Sequence, residues 1–213
     1  MSREGEETLE HTSRQYEKDL QHLKEKILLL GGTVELMIAS SMKSLLSRDS
    51  DLAKNVIASD PRVDAMELEV DHLCVSLLAL RQPAASDLRF ITTALKIVTD
   101  LERIGDLTVN IAERAVELNE EPPLMPYIDV PRMAQKGVDM LHRSLTAFVN
   151  EDVETAAKIP VEDDEVDALY NQIYRELMTF IIADPKTIEQ ANWLLWVAHN
   201  LERFADRVTN ICE

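Results

Sequence analysis

A stretch of fourteen residues occurs twice in this 213-residue chain, one hundred residues apart. Residues 100–113 read DLERIGDLTVNIAE and residues 200–213 read NLERFADRVTNICE. Aligned without a gap, Leu101, Glu102, Arg103, Asp106, Asn110, Ile111 and Glu113 match Leu201, Glu202, Arg203, Asp206, Asn210, Ile211 and Glu213. Self-similarity of this kind marks an internal duplication, so the fold must be one that two like halves can build.

Both copies carry the period of a helix. At about 100° per residue, Ile97, Leu101, Ile104, Thr108, Ile111 and Ala115 share one face. In the second copy Trp193, Val197, Leu201, Phe204, Val208 and Ile211 do the same. Nearly opposite lies an oxygen-rich stripe: Glu102, Asp106, Asn110 and Glu113 in one copy, His199, Glu202, Asp206 and Asn210 in the other.

Carboxylates at i and i+4 repel on a helix by roughly a few tenths of a kcal/mol. A single such pair is a solvated acidic face, here with Arg103, Arg114, Arg203 and Arg207 as partial neutralisers. The same order of acid, acid and amide in both halves points instead to a positive occupant. A row of hard oxygens suits Mg²⁺, Ca²⁺, Mn²⁺ or iron, with Asn110 and Asn210 as amide ligands or as supports that orient a carboxylate.

A second acidic pair is also duplicated: Asp60 and Asp64 align with Asp163 and Asp167. On a helix beside the motif, Asp64 and Asp167 would add to the ligand set. Asp60 and Asp163 stand where helices should start and are expected to be N-caps. Glu67 and Asp71 share the spacing but face Tyr170 and Tyr174 in the other half, so they read as surface. His199, one turn before Glu202, has Thr99 as its counterpart; it is a candidate ligand or a structural histidine.

LERIGD followed by NIAE resembles the signature of the PhoU family of bacterial phosphate-uptake regulators, which carries (E/D)xxxD twice, in two tandem three-helix bundles. The resemblance covers essentially the whole chain. It implies that Glu102, Asp106, Glu202 and Asp206 supply oxygen ligands to metal clusters on the bundle surface. Iron is the metal it favours, with Zn, Mn, Mg and Ca as alternatives. It further implies a cytoplasmic, non-enzymatic adaptor, a homodimer, placed between the ATPase of a phosphate ABC transporter and a phosphate-sensing histidine kinase. When phosphate is plentiful, such an adaptor acts as a negative regulator. Two rival readings come from other classes. A di-metal carboxylate oxidase of ferritin-like type needs acids from four helices inside one bundle. A metal-free helical scaffold needs none.

Composition agrees with an all-α chain: 46% of residues are apolar, aromatics are few and only five are Gly. A net charge of −17 argues against nucleic acid and against free phosphate, and favours cations or a basic surface on a partner. Cys74 and Cys212 fit no metal spacing and read as small hydrophobes in a reducing compartment. The opening MSREGEETLEH lacks the basic and apolar regions of a signal peptide. No apolar run approaches about 20 residues, so no membrane span is expected, and work at a membrane would go through partners. No serine elbow or phosphate-cradling Gly-rich loop occurs, so no enzymatic activity is expected.

Periodicity and breakers then divide the chain. Residues 1–12 are expected to fray. A helix over 16–46 holds Gly31 and Gly32, followed by a turn at 48–50, a short helix over 51–58, and a helix that starts at Asp60-Pro61 and ends at Gln82-Pro83. A third long helix over 85–118 carries the first motif, giving an up-down-up bundle over 1–118. Residues 119–131, NEEPPLMPYIDVP, form the Pro-rich linker. A second three-helix bundle follows over 132–213, with helical stretches at 133–148, 152–159, 163–182 and 188–213. Its last helix is expected to be short, with a weakly anchored final turn. Gly105 becomes Ala205 and Leu107 becomes Arg207, so the two halves should differ in metal affinity.

Overall fold

The computed structural model describes residues 3–81 and 83–213, with the side chains of 3–13 and Arg81 left aside. Among these residues no strand occurs. Helix α1 spans Arg3–Ser47, α2 Ser50–Ile57, α3 Asp60–Arg81 and α4 Ala85–Leu118. The second half repeats the order with α5 (Asp129–Asn150), the single turn α6 (Val153–Ala156), α7 (Asp163–Ala183) and α8 (Ile188–Cys212). Short 3₁₀ turns at Ile159–Glu162 and Pro185–Thr187 lead into the last two.

The duplication is visible in backbone detail that the sequence pattern does not carry. Arg48 (φ 56°) and Glu151 (φ 58°) both take the left-handed conformation that ends a helix, an uncommon one for residues with a Cβ. Each is followed by an aspartate cap. Asp49 Oδ1 accepts from the Leu52 N–H at 2.9 Å, and Asp152 Oδ1 accepts from the Thr155 N–H at 3.0 Å. The two corners lie 103 residues apart, the same offset that relates Asp60 to Asp163.

Several boundaries differ from those the sequence implies. The backbone is already helical from Arg3, where fraying was expected; Met1 and Ser2 lie outside the described residues. Helix α5 starts at Asp129, inside the expected linker, because Pro131 sits in its first turn, where a missing N–H costs no intrahelical bond. Helix α1 runs unbroken through Gly31 and Gly32. Gly31 is buried, and a Cβ there would collide with the Leu145 side chain, so the glycine lets α1 and α5 approach.

The halves are not separate bodies. Helix α4 packs on α1 and α3 in its own half and on α8 across the seam; α1 also packs on α5. One continuous core results, from Leu23, Ile27 and Leu101 in the first half to Leu194, Val208 and Phe204 in the second. Phe90 stacks on Phe148 with ring centroids 4.7 Å apart, and Lys24 lies 5.1 Å over the Phe90 ring while donating to the Val149 carbonyl. Arg207 reaches across α8 to Asp100 on α4 at 3.2 Å.

The apolar run within α1 is longer than the sequence pattern suggests. Within Arg14–Ser47 an 18-residue window reaches a mean hydropathy of 1.3, enough by length and composition for a span. Half of that window is buried inside the protein, as befits a core helix.

Candidate metal centre

Helices α3 and α4 are neighbours, and so are α7 and α8, so each motif helix lies beside the helix bearing the second acidic pair. The spacing of i and i+4 stacks the acids of each helix one turn apart. The result is two acidic faces. One gathers Asp60, Asp64, Glu102 and Asp106; the other gathers Asp163, Asp167, Glu202 and Asp206. The apolar stripes of α4 and α8 point inward, with Leu101, Ile104, Leu201 and Phe204 no more than 1% exposed. The acids therefore lie at the rim: Glu102 and Glu202 side chains are 27% and 25% exposed, Asp106 41%.

Electrostatics couples the acids across the helix pairs. Partial burial, then Asp64 and Asp106, raises the Asp60 carboxyl above its ordinary value. Burial also raises Glu102, with Asp106, Asp64 and Glu67 adding to it and Arg103 opposing. In the second half the effect is larger. Asp163 is pushed up to about 6 from 3.8, by burial first and then by Asp167, Asp206, Glu202 and Asp164. Asp167 is raised by burial and by Asp206 and Asp164. Each face crowds negative charge into a half-desolvated space, which disfavours the ionised forms until something positive is added.

The expected capping role fails for Asp163. Glu162, not Asp163, occupies the N-cap of α7, and its side chain makes no cap hydrogen bond. Asp163 Oδ1 is buried and has no hydrogen-bond partner among the described residues. Asp60 is likewise the first helical residue of α3. Asp163 thus belongs with the acidic face. Glu67 also moves out of the surface class: it is half-buried, and burial, Asp71 and Asp64 raise its carboxyl. Its signal in the sequence was the i, i+4 spacing from Asp71, which the tyrosines of the other half obscured. Asn110 is half-buried and Asn210 exposed, and neither side chain hydrogen-bonds to these carboxylates among the described residues.

In kind, the donor set fits a hard cation: carboxylates from two helices, with one oxygen buried and unpartnered. In arrangement it does not yet converge. Among the described residues no three His, Cys, Asp or Glu side chains already stand so as to hold an ion. Arg103 lies 3.6 Å from Glu102 and 3.4 Å from Asp106, and His199 Nδ1 is 3.0 Å from Glu202 Oε2. A cation would have to displace Arg103 and draw the carboxylates together. The ferritin-like alternative asks for one shared cluster inside a four-helix core. The acids of the two halves instead form separate rim sites, each between two helices.

Asp163 gives a prediction for protein stripped of metal. A carboxyl whose folded pKa lies above its unfolded value costs stability once ionised. That cost is absent below about 3.8, grows as pH rises, and is complete above about 6. Asp163→Asn should therefore raise the melting temperature near neutral pH and leave it unchanged below about pH 4. Melts across this pH range check it; an equal shift at every pH would mean the carboxyl is not perturbed.

Comparison with known proteins agrees with the duplication. The sequence model of the PhoU domain matches residues 27–115 and again 130–213. The "Phosphate-specific transport system accessory protein PhoU homolog" of Aquifex aeolicus is 40% identical over 186 residues, covering 87% of this chain and 84% of the relative. The protein of the same description from Caulobacter vibrioides is 40% identical over 205 residues, covering 96% and 89%. The crystal structure of PhoU from Pseudomonas aeruginosa superposes with a TM-score of 0.88 at 36% identity, covering 92% of this chain and 95% of that one.

Proposed function

Because the chain belongs to the PhoU family, we propose that it is an accessory regulator of phosphate-specific transport, acting as a negative regulator when phosphate is plentiful. The observation that carries this reading is the match to accessory proteins of that transport system over nearly the whole chain, both motif helices included. In this reading the protein is cytoplasmic. It works between the ATPase of the phosphate ABC transporter and the phosphate-sensing histidine kinase, and meets the membrane only through them. The acidic net charge suits a basic surface on a partner.

The two acidic faces are the proposed cation seats. On the first, Glu102, Asp106 and Asp64 would hold the ion, supported by Asn110; on the second, Glu202, Asp206 and Asp167, supported by Asn210. Iron is the metal the resemblance favours, and Zn, Mn, Mg or Ca offer the same oxygen chemistry. A bound cation supplies charge neutralisation and a cross-link between neighbouring helices. The chain's own part is to present carboxylates from α3 with α4 and from α7 with α8 on rigid supports. Because Ala205 and Arg207 replace Gly105 and Leu107, the two seats should bind with unequal strength.

A strain lacking this protein should express its phosphate-starvation genes even in high phosphate, and transcript measurement tests this. Normal repression in that strain would reject the regulatory reading.

A further inference from the structure

The two halves diverge at one end of their acidic faces. On the side of Glu102 away from Asp106, the first half has Glu67, Asp71, Lys96 and Thr99. At the equivalent positions the second half has Tyr170, Tyr174, Trp196 and His199. Charged and polar side chains have become rings. His199 joins the two helices: its ring centroid lies 6.1 Å from that of Tyr170 on α7 and 6.1 Å from that of Trp196 on α8. Trp196 is 51% exposed and Tyr174 44%, whereas the core ring of Phe204 is 1% exposed. Burial, then Glu202 and Tyr174, raises the Tyr170 hydroxyl above its ordinary value, so a carboxylate and a second phenol stand near it.

The carboxylates beside these rings lack the cation that their first-half equivalents have. Arg103 lies 3.6 Å from Glu102 and 3.4 Å from Asp106. Its counterpart Arg203 makes no ion pair among the described residues, and Glu202 is paired with His199 Nδ1 alone, at 3.0 Å. Nor does a Lys or Arg of the described residues lie over these rings; the chain's cation–π contact is Lys24 on Phe90, at the seam of the halves. Open aromatic faces next to unneutralised carboxylates suit a planar cation from outside the chain.

We propose that Trp196, His199, Tyr170 and Tyr174, with Glu202 at their end, form a docking site for an arginine side chain presented by a partner protein. A guanidinium uses both halves of the site: its flat face stacks on a ring while its edge donates to a carboxylate. The compact ammonium of lysine has no flat face to stack. The net charge of −17 draws a basic segment in, and the rings then select among its cations. The first half offers no such site, because Lys96 stands where Trp196 does and repels the same group. The inference names a side chain and not the protein that carries it, so it stands or falls apart from the phosphate reading.

Fluorescence anisotropy of a dye-labelled peptide bearing two arginines, titrated with the full chain, tests it. The same peptide with lysine keeps the charge, and with citrulline keeps the shape but not the charge. All titrations are run with chelator, so the result is independent of whether the neighbouring acids take metal. The arginine peptide should bind about fivefold tighter than either control. Trp196→Ala should weaken its binding by about fivefold and Tyr174→Ala by less, both with unchanged circular dichroism, since both side chains are exposed. Trp196→Phe, which keeps a ring, should retain most of the affinity. Equal binding of the arginine and lysine peptides would mean that charge alone attracts them and would overturn the proposal. Binding of the arginine peptide that Trp196→Ala leaves unchanged would do the same.

Discussion

Alanine at both Asp106 and Asp206 is expected to abolish uptake of divalent and ferric ions while leaving helix content unchanged. Both side chains stand at the rim, so their removal opens no cavity in the core. They also couple to the rest of their faces. Asp106 helps raise Glu102 and Asp60, and Asp206 helps raise Asp163 and Asp167. With metal removed, deleting these charges relieves repulsion, and the variant should melt no lower than the wild type. With metal added the order should reverse. An ion at a hundred times its dissociation constant stabilises a native site by about 2.7 kcal/mol, and the variant should gain none of this. Elemental analysis of protein grown in metal-replete medium, with melts before and after chelation, gives the answer. Wild-type protein that never carries an ion, or a variant that binds as well as the parent, would remove the site assignment.

Phe204→Ala should be the most damaging single change to stability, costing about 3–5 kcal/mol. Phe204 is 1% exposed and heads the fully buried side chains by volume. Its ring lies on Gly137 so closely that a Cβ there would stand 2.5 Å from Cε1. The alanine variant leaves a hole between α5 and α8 that neighbours cannot close, because α7 packs on both helices, α1 also holds α5 and α4 also holds α8. Urea denaturation should show a lower midpoint with an unchanged slope. A loss below about 1 kcal/mol would mean that the α5–α8 seam is not the packed interior described here.

The pairing of Phe204 with Gly137 also shows where the sequence stopped being legible. Ile104 and Phe204 occupy equivalent places in the repeat, and taken alone the change looks like drift. In the structure the residue equivalent to Gly137 is Val34, at the offset of 103 set by the matching corners at Arg48 and Glu151. Val34 on α1 and Ile104 on α4, both buried in the first half, are replaced by glycine and phenylalanine in the second, a loss of bulk on one helix and a gain on the other. No local pattern announces this, because the partners lie on different helices. Leu107 and Arg207 tell the same story. Arg207 is needed for Asp100 across the α4–α8 seam, a contact whose existence depends on how the halves meet.

The acidic faces were more legible. The i, i+4 spacing placed Glu102 with Asp106 and Glu202 with Asp206, and helix geometry required them to point away from the apolar stripe. What misled was Asp163. An aspartate before a helix is usually a cap, and only the position of α7 against α8 decides that its Oδ1 faces the other acids instead of a backbone N–H.

The sequence by itself determined the helical class, the duplication and the membership of each acidic stripe, because all three depend on periodicity along one chain. The tertiary structure alone decided that the two halves share a single core through α4 and α8, and that α1 leaves a leucine face uncovered. Those outcomes rest on volume and charge matched between segments a hundred residues apart, and such matching exists only once the helices have packed.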